Sequence, residues 1–283
     1  MSFIALLICL GLERFWDGVA DLRYFGWFNM YKDLFNKHLG DKPFWQGYVK
    51  LAGLVVPILV ITFIVSLIFG GMLGELGSII FSVLVLAYCI GPGNLYAQVK
   101  KCVIKGEDGK TTLAAEQIKT FFGLEAASDD HAARLELSQT ILTVANRRLF
   151  AVCFWFGVLS IFGLGPIGAL LYRLVVLCES EESMGKQGEL IQSILDWPSA
   201  RVLAFAYAVT GNFMGVFPAL SKHILDGLDK NGDVLKASAR AAFGIAEDTA
   251  EKDQEIDPLQ ALHLLDRALG SWVLVVLVFN IIF

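Results

Sequence analysis

The sequence predicts an all-α protein, a polytopic membrane helical bundle with about 4–6 spans. Residues 149–178 form a long apolar stretch in which Arg173 is the one charged side chain. About 20 apolar residues are enough to cross the hydrocarbon core of a bilayer, so this stretch exceeds what a crossing requires. The chain is 55% hydrophobic and 18% charged, with a mean hydropathy of +0.60. About a quarter of the residues in soluble domains are charged.

Six apolar runs are candidate spans of a single integral membrane domain, residues 1–283. They are 2–16, 51–69, 76–97, 149–178, 202–220 and 268–283. The first run is short, so it either crosses with help from neighbouring helices or dips into the membrane. The run 149–178 contains Gly163-Leu164-Gly165-Pro166 near its middle. It therefore forms either one kinked crossing or a hairpin.

The second and third runs are the clearest spans of the chain. Only Gly70–Glu75 joins them, and this linker is too short to form a domain. The two helices are therefore expected to form an antiparallel hairpin. Gly91-Pro92-Gly93 is expected to break the second helix near its end, because proline removes a hydrogen bond from a helix.

The segment between the first two spans is expected to contain an interfacial amphipathic helix. From Phe15 to Tyr48 there are 11 aromatic residues in 34, and basic residues stand among them. Aromatic rings with basic neighbours suit the headgroup layer of a membrane. On one helix, Leu22, Phe28 and Phe35 would face lipid or protein. The polar face would carry Asp21, Asn29, Lys32 and Asn36.

Helix patterns also occur in the polar half of the chain. A helix with Leu135, Ile141, Leu142, Val144 and Ala145 on its buried side is expected to run into Asn146-Arg147-Arg148. Asp196 is a candidate N-cap with Pro198 in the first turn of the following helix. Asp257-Pro258 is expected to begin the C-terminal helix.

The distribution of basic residues predicts which segments face the cytoplasm. The polar segments 17–50, 98–148 and 221–267 contain 19 Lys and Arg residues, whereas 70–75 and 179–201 contain two. Lys and Arg accumulate on the cytoplasmic side of membrane proteins. This count predicts a multi-pass membrane protein with the large segments inside and both termini outside. A hairpin at 149–178 would instead place 221–267 outside.

Several classes of function are disfavoured by composition. A net charge of −5 disfavours nucleic-acid binding, which needs a basic face. The five cysteines form no CxxC pair, so they are interpreted as buried apolar residues. Gly106–Thr111 is interpreted as a flexible turn. A phosphate loop would need glycine at position 104, which is Ile104, and a preceding strand, and no strand is expected before this segment. The sequence indicates no metal and no cofactor.

Candidate ligand-binding residues are polar groups at helix ends or within spans. They are Glu13, Arg14, Asn146, Arg148, Arg173, Asp196 and Arg201. Guanidinium groups at a membrane entrance suit recognition of phosphate or carboxylate, although anchoring to headgroups is an alternative. Arg173 lies within an apolar run and needs a partner or a wet cavity, and Asp196 or Glu13 could be that partner. The expected partners are the lipid bilayer and a small anionic ligand or a protein.

In these residues the sequence resembles the AmpE family of inner-membrane proteins linked to β-lactamase induction. The resemblance extends over the whole chain in length and order. It rests on Leu12-Glu13-Arg14-Phe15, Cys89-Ile90-Gly91-Pro92-Gly93, Asn146–Phe150, Phe154-Trp155, Gly165-Pro166, Arg173, Leu195-Asp196-Trp197 and Arg201. The resemblance implies a regulatory or accessory membrane protein that senses a ligand or partner.

AmpE proteins are in turn similar to the membrane adenosylcobinamide-phosphate synthases. The residues that echo those enzymes here are Asn146, Trp155, Gly165, Pro166, Tyr172, Arg173 and Arg201. The sequence departs from them at Ala145, where an acidic residue would stand. Because of the similarity to the synthases, an amide-forming membrane enzyme is the alternative function. A transporter of muropeptide-like solutes is a weaker one.

Overall fold

A computed structural model describes residues 2–15, 23–39, 45, 47–91, 93–105, 111–125, 130–179, 185–245 and 256–282. The described residues are predominantly helical, which confirms the all-α class. By length and composition, Gly47–Cys89, His131–Ser160 and Pro258–Phe279 can cross a membrane, and Gly165–Cys178 is a shorter apolar helix. The number of spans stays a prediction. Some positions named above lie outside the described residues: Asp21, Leu22, Pro92 and 106–110.

The chain packs into two compact units. The first comprises Met1–Pro92, Ala151–Asp196 and Val275–Phe283, and the second comprises Gly93–Phe150 and Trp197–Leu274. Each unit therefore combines helices that are distant in sequence. That residues 1–283 form one membrane domain stays a prediction.

The first unit contains the predicted N-terminal hairpin. Helix α1 (Ser2–Phe15) matches the first apolar run. Helix α3 (Gly47–Cys89) contains the next two runs and reverses at Gly74, where φ is 58° and ψ is −139°. The ring centroids of Phe69 and Phe81 are 5.4 Å apart, whereas twelve residues of straight helix span about 18 Å. The turn is tighter than predicted, and the second arm ends before residue 97.

Helix α2 (Gly26–Leu39) is the amphipathic helix, but one polar residue lies on the opposite face from the predicted one. Its buried residues are Phe28, Lys32 and Phe35. Lys32 was expected on the polar face; it is four residues after Phe28 and three before Phe35, so all three share one side. Lys32 Nζ donates to the Leu177 carbonyl at 3.4 Å. The exposed side carries Trp27, Met30 and Leu34.

The apolar stretch 149–178 folds as two helices instead of one kinked crossing. Helix α7 (Ala151–Ser160) and helix α8 (Gly165–Glu179) are joined by a tight turn in which Gly163 has a φ of +73°. A Cβ added at Gly168 would lie 2.3 Å from a backbone oxygen of α7. The helices therefore touch backbone to backbone. This is the hairpin alternative.

Helix α9 (Gly185–Thr210) is a single helix that passes through the predicted cap. The prediction that Asp196 begins a helix is wrong, because Asp196 and Pro198 both lie inside α9. Gln192, Asp196 and Ser199 are buried, and their spacing of four and three residues places them on one side. The helix therefore continues through this polar stripe, at the position where an N-cap was expected.

The second unit begins with a helix and a small sheet. Asn94 caps α4 (Leu95–Cys102) through its side-chain oxygen. Strand β1 (Val103–Lys105) pairs antiparallel with β2 (Thr111–Leu113), and α5 (Ala115–Phe122) follows. Neither strand was predicted. The statement that no strand precedes the glycine-containing segment is therefore wrong.

Helix α6 (Asp130–Ala145) confirms the predicted helix in this region. It continues into a π-helical turn, Asn146–Phe150. Val144 is half-buried. Four of the five residues predicted on its inner side are buried: Leu135, Ile141, Leu142 and Ala145.

The predicted span 202–220 is not one helix. Helix α9 ends at Thr210, and Asn212 caps α10 (Phe213–His223) by accepting a hydrogen bond from Gly215 N at 3.2 Å. Asparagine in extended backbone favours such a start. The break divides the apolar run between two helices.

The chain ends with two further helices. A short 3₁₀ turn, Leu228–Lys230, leads into α11 (Asn231–Ala242). Helix α12 (Pro258–Ile282) runs to the end of the described chain. The prediction that Asp257-Pro258 begins this helix is confirmed, since Asp257 Oδ1 accepts a hydrogen bond from Leu259 N at 3.0 Å.

Candidate functional site

A buried ion pair joins the end of α1 to the segment before α2. Glu13 and Arg23 are 3% and 6% exposed. Arg23 Nη2 bonds to Glu13 Oε2, and Arg23 Nη1 lies 3.3 Å from Glu13 Oε1. Two parallel bonds between guanidinium and carboxylate form a strong, oriented pair. In apolar surroundings each charge depends on the other, because an unpaired buried ion is strongly unfavourable.

Two arginines bind the carbonyl groups at the end of α3. Arg23 donates from Nε to the Ala87 carbonyl at 2.9 Å and from Nη1 to the Gly91 carbonyl at 3.1 Å. Arg173 of α8 is 2% exposed and donates from Nε to the Cys89 carbonyl at 2.5 Å. The last carbonyls of a helix lack partners within it and carry partial negative charge. Both guanidinium groups therefore complement this helix end.

We name Glu13, Arg23 and Arg173 the buried ionic cluster. It connects α1, the end of α3 and α8 within the first unit. Sequence reasoning selected Glu13 and Arg173 because they stand at or inside apolar runs. It missed Arg23, which is one of several basic residues in an aromatic-rich segment, and no local pattern sets it apart.

Asp196 lies in a second polar site of the first unit. The Tyr172 hydroxyl donates to Asp196 Oδ1 at 2.5 Å, and Gln192 Nε2 donates to Oδ2 at 3.4 Å. Tyr172 is fully buried. Tyr172 and Arg173 are adjacent on α8 and point about 100° apart, so α8 contributes to both polar sites.

Arg148 lies in the π-helical turn of the second unit and joins two other helices. Its Nη1 donates to Gln98 Oε1 at 2.7 Å, and its Nη2 donates to the Phe121 carbonyl at 3.1 Å. The guanidinium also lies 5.8 Å from the Phe122 ring centroid. These contacts connect α4 and the end of α5 to the turn. A structural role accounts for them.

Asn146 begins the same turn and is 2% exposed. Within the described residues its side-chain oxygen has no hydrogen-bond partner. Isolated π-helical turns are frequent at functional sites. Asn146 is therefore the candidate ligand-binding residue of the second unit whose buried side-chain oxygen is not explained by contacts among the described residues.

Arg201 organises the turn that follows α10. It donates from Nη2 to the Asp226 carbonyl at 2.9 Å and from Nε to the Ile224 carbonyl at 3.3 Å. Its Nη1 bonds to Asn231 Oδ1, and the guanidinium lies 4.6 Å from the Trp197 ring centroid. A planar cation with several donors suits such a junction.

A histidine–carboxylate pair lies on the same turn. His223 Nδ1 is 2.7 Å from Asp226 Oδ2. The hydrogen bond from His223 lowers the pKa of the Asp226 carboxyl below 3.8, and the charges of Lys230 and Arg201 act in the same direction. The carboxyl therefore stays ionised to lower pH than a free one.

The cysteines behave as the sequence suggested. All five are buried thiols outside any disulfide. Burial raises the pKa of the Cys102 thiol to about 11, so it is protonated at neutral pH and unreactive. Among the described residues, no group of three or more His, Cys, Asp or Glu side chains could hold a metal ion.

The seven candidate residues fall in both units. Arg14 is half-buried in the last turn of α1. The first unit contains Glu13, Arg14, Arg173 and Asp196, and the second contains Asn146, Arg148 and Arg201. Glu13 reaches the end of α3 through Arg23, and Arg173 binds the Cys89 carbonyl there. Asp196 instead binds Tyr172. Tyr172 carried no signal as a site residue beyond its place in the resemblance to the synthases, and Arg23 carried none at all.

A family model described as "Regulatory signalling modulator protein AmpE" matches residues 1–283. The chain belongs to the AmpE family. The match covers every element described above, including both polar sites of the first unit. Membership confirms the resemblance seen in the sequence and identifies a regulatory signalling modulator. Together with the long apolar helices, it indicates a membrane protein.

Other comparisons add nothing to this AmpE assignment: no curated protein and no solved structure gave a match.

Proposed function

We propose that this AmpE-family protein is a multi-pass inner-membrane regulator that modulates β-lactamase induction by sensing a small anionic ligand or a protein partner. Family membership supports the regulatory role. The positive charges of 17–50, 98–148 and 221–267 support a cytoplasmic position for these segments.

The buried ionic cluster carries the proposal. Ionisable groups inside a membrane protein are costly and by default indicate function. Glu13 of α1, Arg23 and Arg173 of α8 all depend on contacts near the end of α3. A partner that displaces one of these helices moves a charged side chain out of the cluster. The charges that remain on the other elements are then less well compensated. The cluster is thus suited to convert binding into a rearrangement of helices.

The candidate ligand-binding residues have different weights in this proposal. Glu13 and Arg173 form part of the cluster and are its leading members. The others proposed to contribute to the sensing surface are Arg14, Asn146, Arg148, Asp196 and Arg201.

Complementation of a strain that lacks the gene tests the proposal. Inducible β-lactamase activity is measured after expression of the wild type, Glu13→Gln or Arg173→Gln. Matched controls are Glu189→Gln and Arg267→Gln, which remove the same charges from exposed positions. Immunoblots of membranes report the amount of each variant.

The wild type and both controls are expected to restore the normal induction curve. The cluster variants should remain in the membrane and fail to restore it, because the helix end loses a charge partner. Identical induction in the deleted and complemented strains would contradict the β-lactamase role. Full restoration by both cluster variants would contradict the role of the cluster.

A second candidate function, an amide-forming membrane enzyme, is favoured by Asn146. Its buried oxygen has no partner in the described part of the chain, and Asn146 is one of the residues that echo the synthases. Calorimetric titration of the detergent-purified protein with nucleotides and aminopropanol phosphate tests this function. Saturable binding that Asn146→Ala abolishes and Asn36→Ala preserves would support the enzyme. No binding of either ligand would contradict it.

A further inference from the structure

A groove lies between α10 and α11 in the second unit. It encloses about 740 Å³ and is lined by both helices and by Gln139 of α6. Its lining residues on α10 include Gly215, Pro218, Ala219 and Lys222. These positions are spaced i, i+3, i+4 and i+7, so they form one helix face.

The opposite wall has the same helical spacing. From α11 the groove takes Asp233, Lys236, Ala237 and Arg240. The helices approach closely at one end, where Asn212 N donates to the Ala242 carbonyl at 3.2 Å. The small residues Gly215, Ala219 and Ala237 are half-buried, as is Arg240. Lys222, Asp233 and Lys236 are exposed, and together with Arg240 these long side chains are called the rim of the groove.

The rim is predominantly basic. Among the described residues that line the groove, Lys222, Lys236 and Arg240 are opposed by one acidic residue, Asp233. Gln139 adds an amide donor: its buried Nε2 has no hydrogen-bond partner among the described residues. Several cations and an amide donor around a cavity suit the oxygens of a phosphate group.

The outer side of α10 is apolar and exposed. Phe213 and Phe217 stack with ring centroids 5.5 Å apart and are 47% and 49% exposed. Met214 lines the groove itself and is 83% exposed. Leu225, just beyond α10, is 88% exposed. Exposed aromatic and aliphatic side chains beside basic residues are typical of a helix in the membrane interface.

We propose that this groove binds the phosphate headgroup of an anionic phospholipid. The apolar side of α10 would contact the acyl region, and the basic rim would then lie at headgroup depth. Basic residues at a membrane surface attract anionic lipids, with about a fivefold gain in affinity for each Lys or Arg. A soluble phosphate ester offers the same chemistry, and the experiment distinguishes the two sources.

This inference goes beyond the proposed function and does not depend on it. It requires a membrane protein, and β-lactamase induction is not among its readouts. Either proposal can therefore fail alone.

Calorimetric titration of the full-length protein in detergent provides the test. The probes are short-chain phosphatidylglycerol, short-chain phosphatidylcholine and glycerol phosphate. The wild type is expected to bind phosphatidylglycerol at least tenfold more tightly than the other two. The variant Lys222→Gln/Lys236→Gln/Arg240→Gln should lose about 100-fold in affinity for it.

A matched control removes three exposed positive charges elsewhere in the second unit. Lys100→Gln/Lys101→Gln/Lys119→Gln should retain the wild-type affinity within about twofold. Two further variants leave the basic rim intact. Ala237→Leu fills the groove and should weaken binding, whereas Asp233→Asn removes the opposing charge and should strengthen it about fivefold.

Three results would overturn the inference. Equal affinity for the two phospholipids would remove the charge requirement. Equal losses in the groove variant and the control would remove the site. Glycerol phosphate binding as tightly as phosphatidylglycerol, with the same loss on mutation, would replace the lipid by a soluble ligand. If the triple variant does not fold, Ala237→Leu and Asp233→Asn decide the outcome.

Discussion

At the residue scale, Glu13 and Arg23 are buried together because neither charge can be buried alone. Arg23 additionally binds the Ala87 and Gly91 carbonyls, so the arginine keeps partners when Glu13 is lost. The stability of the pair therefore depends on the charge of Glu13 as well as on the carbonyls at the end of α3.

A double-mutant cycle tests this dependence. Glu13→Ala should lower the free energy of unfolding by about 3–5 kcal/mol, because it leaves a buried cation without its counter-charge. Glu13→Ala/Arg23→Ala should cost less than the sum of the single changes by about 1–3 kcal/mol. The measurement is equilibrium unfolding in mixed detergent micelles.

The control for this cycle pairs Glu13→Ala with Lys101→Ala, an exposed residue of the other unit. Those two effects should add. Additivity within about 0.5 kcal/mol for the Glu13–Arg23 pair as well would show that the ion pair contributes no coupling.

Asp226 gives a pH-dependent prediction. Its pKa is below 3.8 in the folded chain because His223 donates a hydrogen bond to the carboxylate. A lowered folded pKa contributes stability that is present above pH 3.8 and is lost as the pH falls through the folded pKa. The wild type should therefore melt at a higher temperature than Asp226→Asn above about pH 4.

The difference between these two proteins should shrink as the pH falls below that value. Thermal unfolding across this range, with Asp229→Asn as the exposed control, provides the measurement. A constant difference at all pH values would mean that the ionised carboxylate is not the source of the effect.

A site residue was predictable when its charge contrasted with the residues around it in the sequence. Arg173 is isolated in an apolar run, so its charge alone indicated a buried site. Lys32 and Arg23 stand among other charged and aromatic residues, and their burial depends on tertiary contacts with Leu177 and Ala87. Local sequence does not contain those contacts.

At the element scale, the α7–α8 hairpin depends on a close approach at Gly168. A Cβ there would lie 2.3 Å from the backbone oxygen of Trp155, which cannot move as a side chain can. Small residues let helices in membranes approach to this distance.

Gly168→Ala should therefore destabilise the protein by about 1–3 kcal/mol through overpacking. Gly11→Ala on α1 is the matched control, because nothing lies within 4 Å of a Cβ at that position. It should be neutral or stabilising, since alanine favours helix. Melting temperatures in one detergent compare the two. An equal change in both would show that the helices do not meet at Gly168.

Helix periods were predictable wherever the pattern was strong, as in α1, α6 and α12. Predicted helix boundaries were wrong where polar side chains form hydrogen bonds inside the protein. Helix α9 continues through Gln192 and Asp196. An N-cap was predicted there because Asp196 stands shortly before a proline. Asn212 and its bond to Gly215 divide a run that hydropathy alone would join. In both cases side-chain hydrogen bonds decided the boundary.

At the scale of the whole molecule, two changes to the predicted helices compensate each other in the membrane topology. A hairpin at 149–178 that crosses the bilayer twice would return the chain to the side where it entered. The broken run 202–220 is not among the described helices that are long and apolar enough to cross. The segments 17–50, 98–148 and 179–267 would then share one side, and they contain 21 of the 23 Lys and Arg residues. The other two are in α1 and α8.

This arrangement is expected to place residue 186 in the cytoplasm, where the first count placed it outside. Green fluorescent protein fused after Lys119, Lys186 or Asp229 should fluoresce, because these segments carry the positive charge. Alkaline phosphatase inserted after Phe162 should be active. Phosphatase activity after Lys186 would restore the single crossing and exclude the hairpin topology.

Fold class, family and most helices followed from hydropathy and motif order, because both are local properties of the chain. The division into two units did not. It depends on contacts between helices far apart in sequence, such as Tyr207 with the Leu142 carbonyl. No pattern within a single helix encodes such a pairing.

The turn of the α7–α8 hairpin, residues 161–164, contains no charged side chain. Moving a charged residue into the bilayer costs about 2.5–3.5 kcal/mol on the insertion scale. The turn can thus cross the hydrocarbon without carrying an ion, and Arg173 of α8 is the one charge within 149–178 that must enter it. Biogenesis of this part of the protein would then require little help from machinery that exports polar loops.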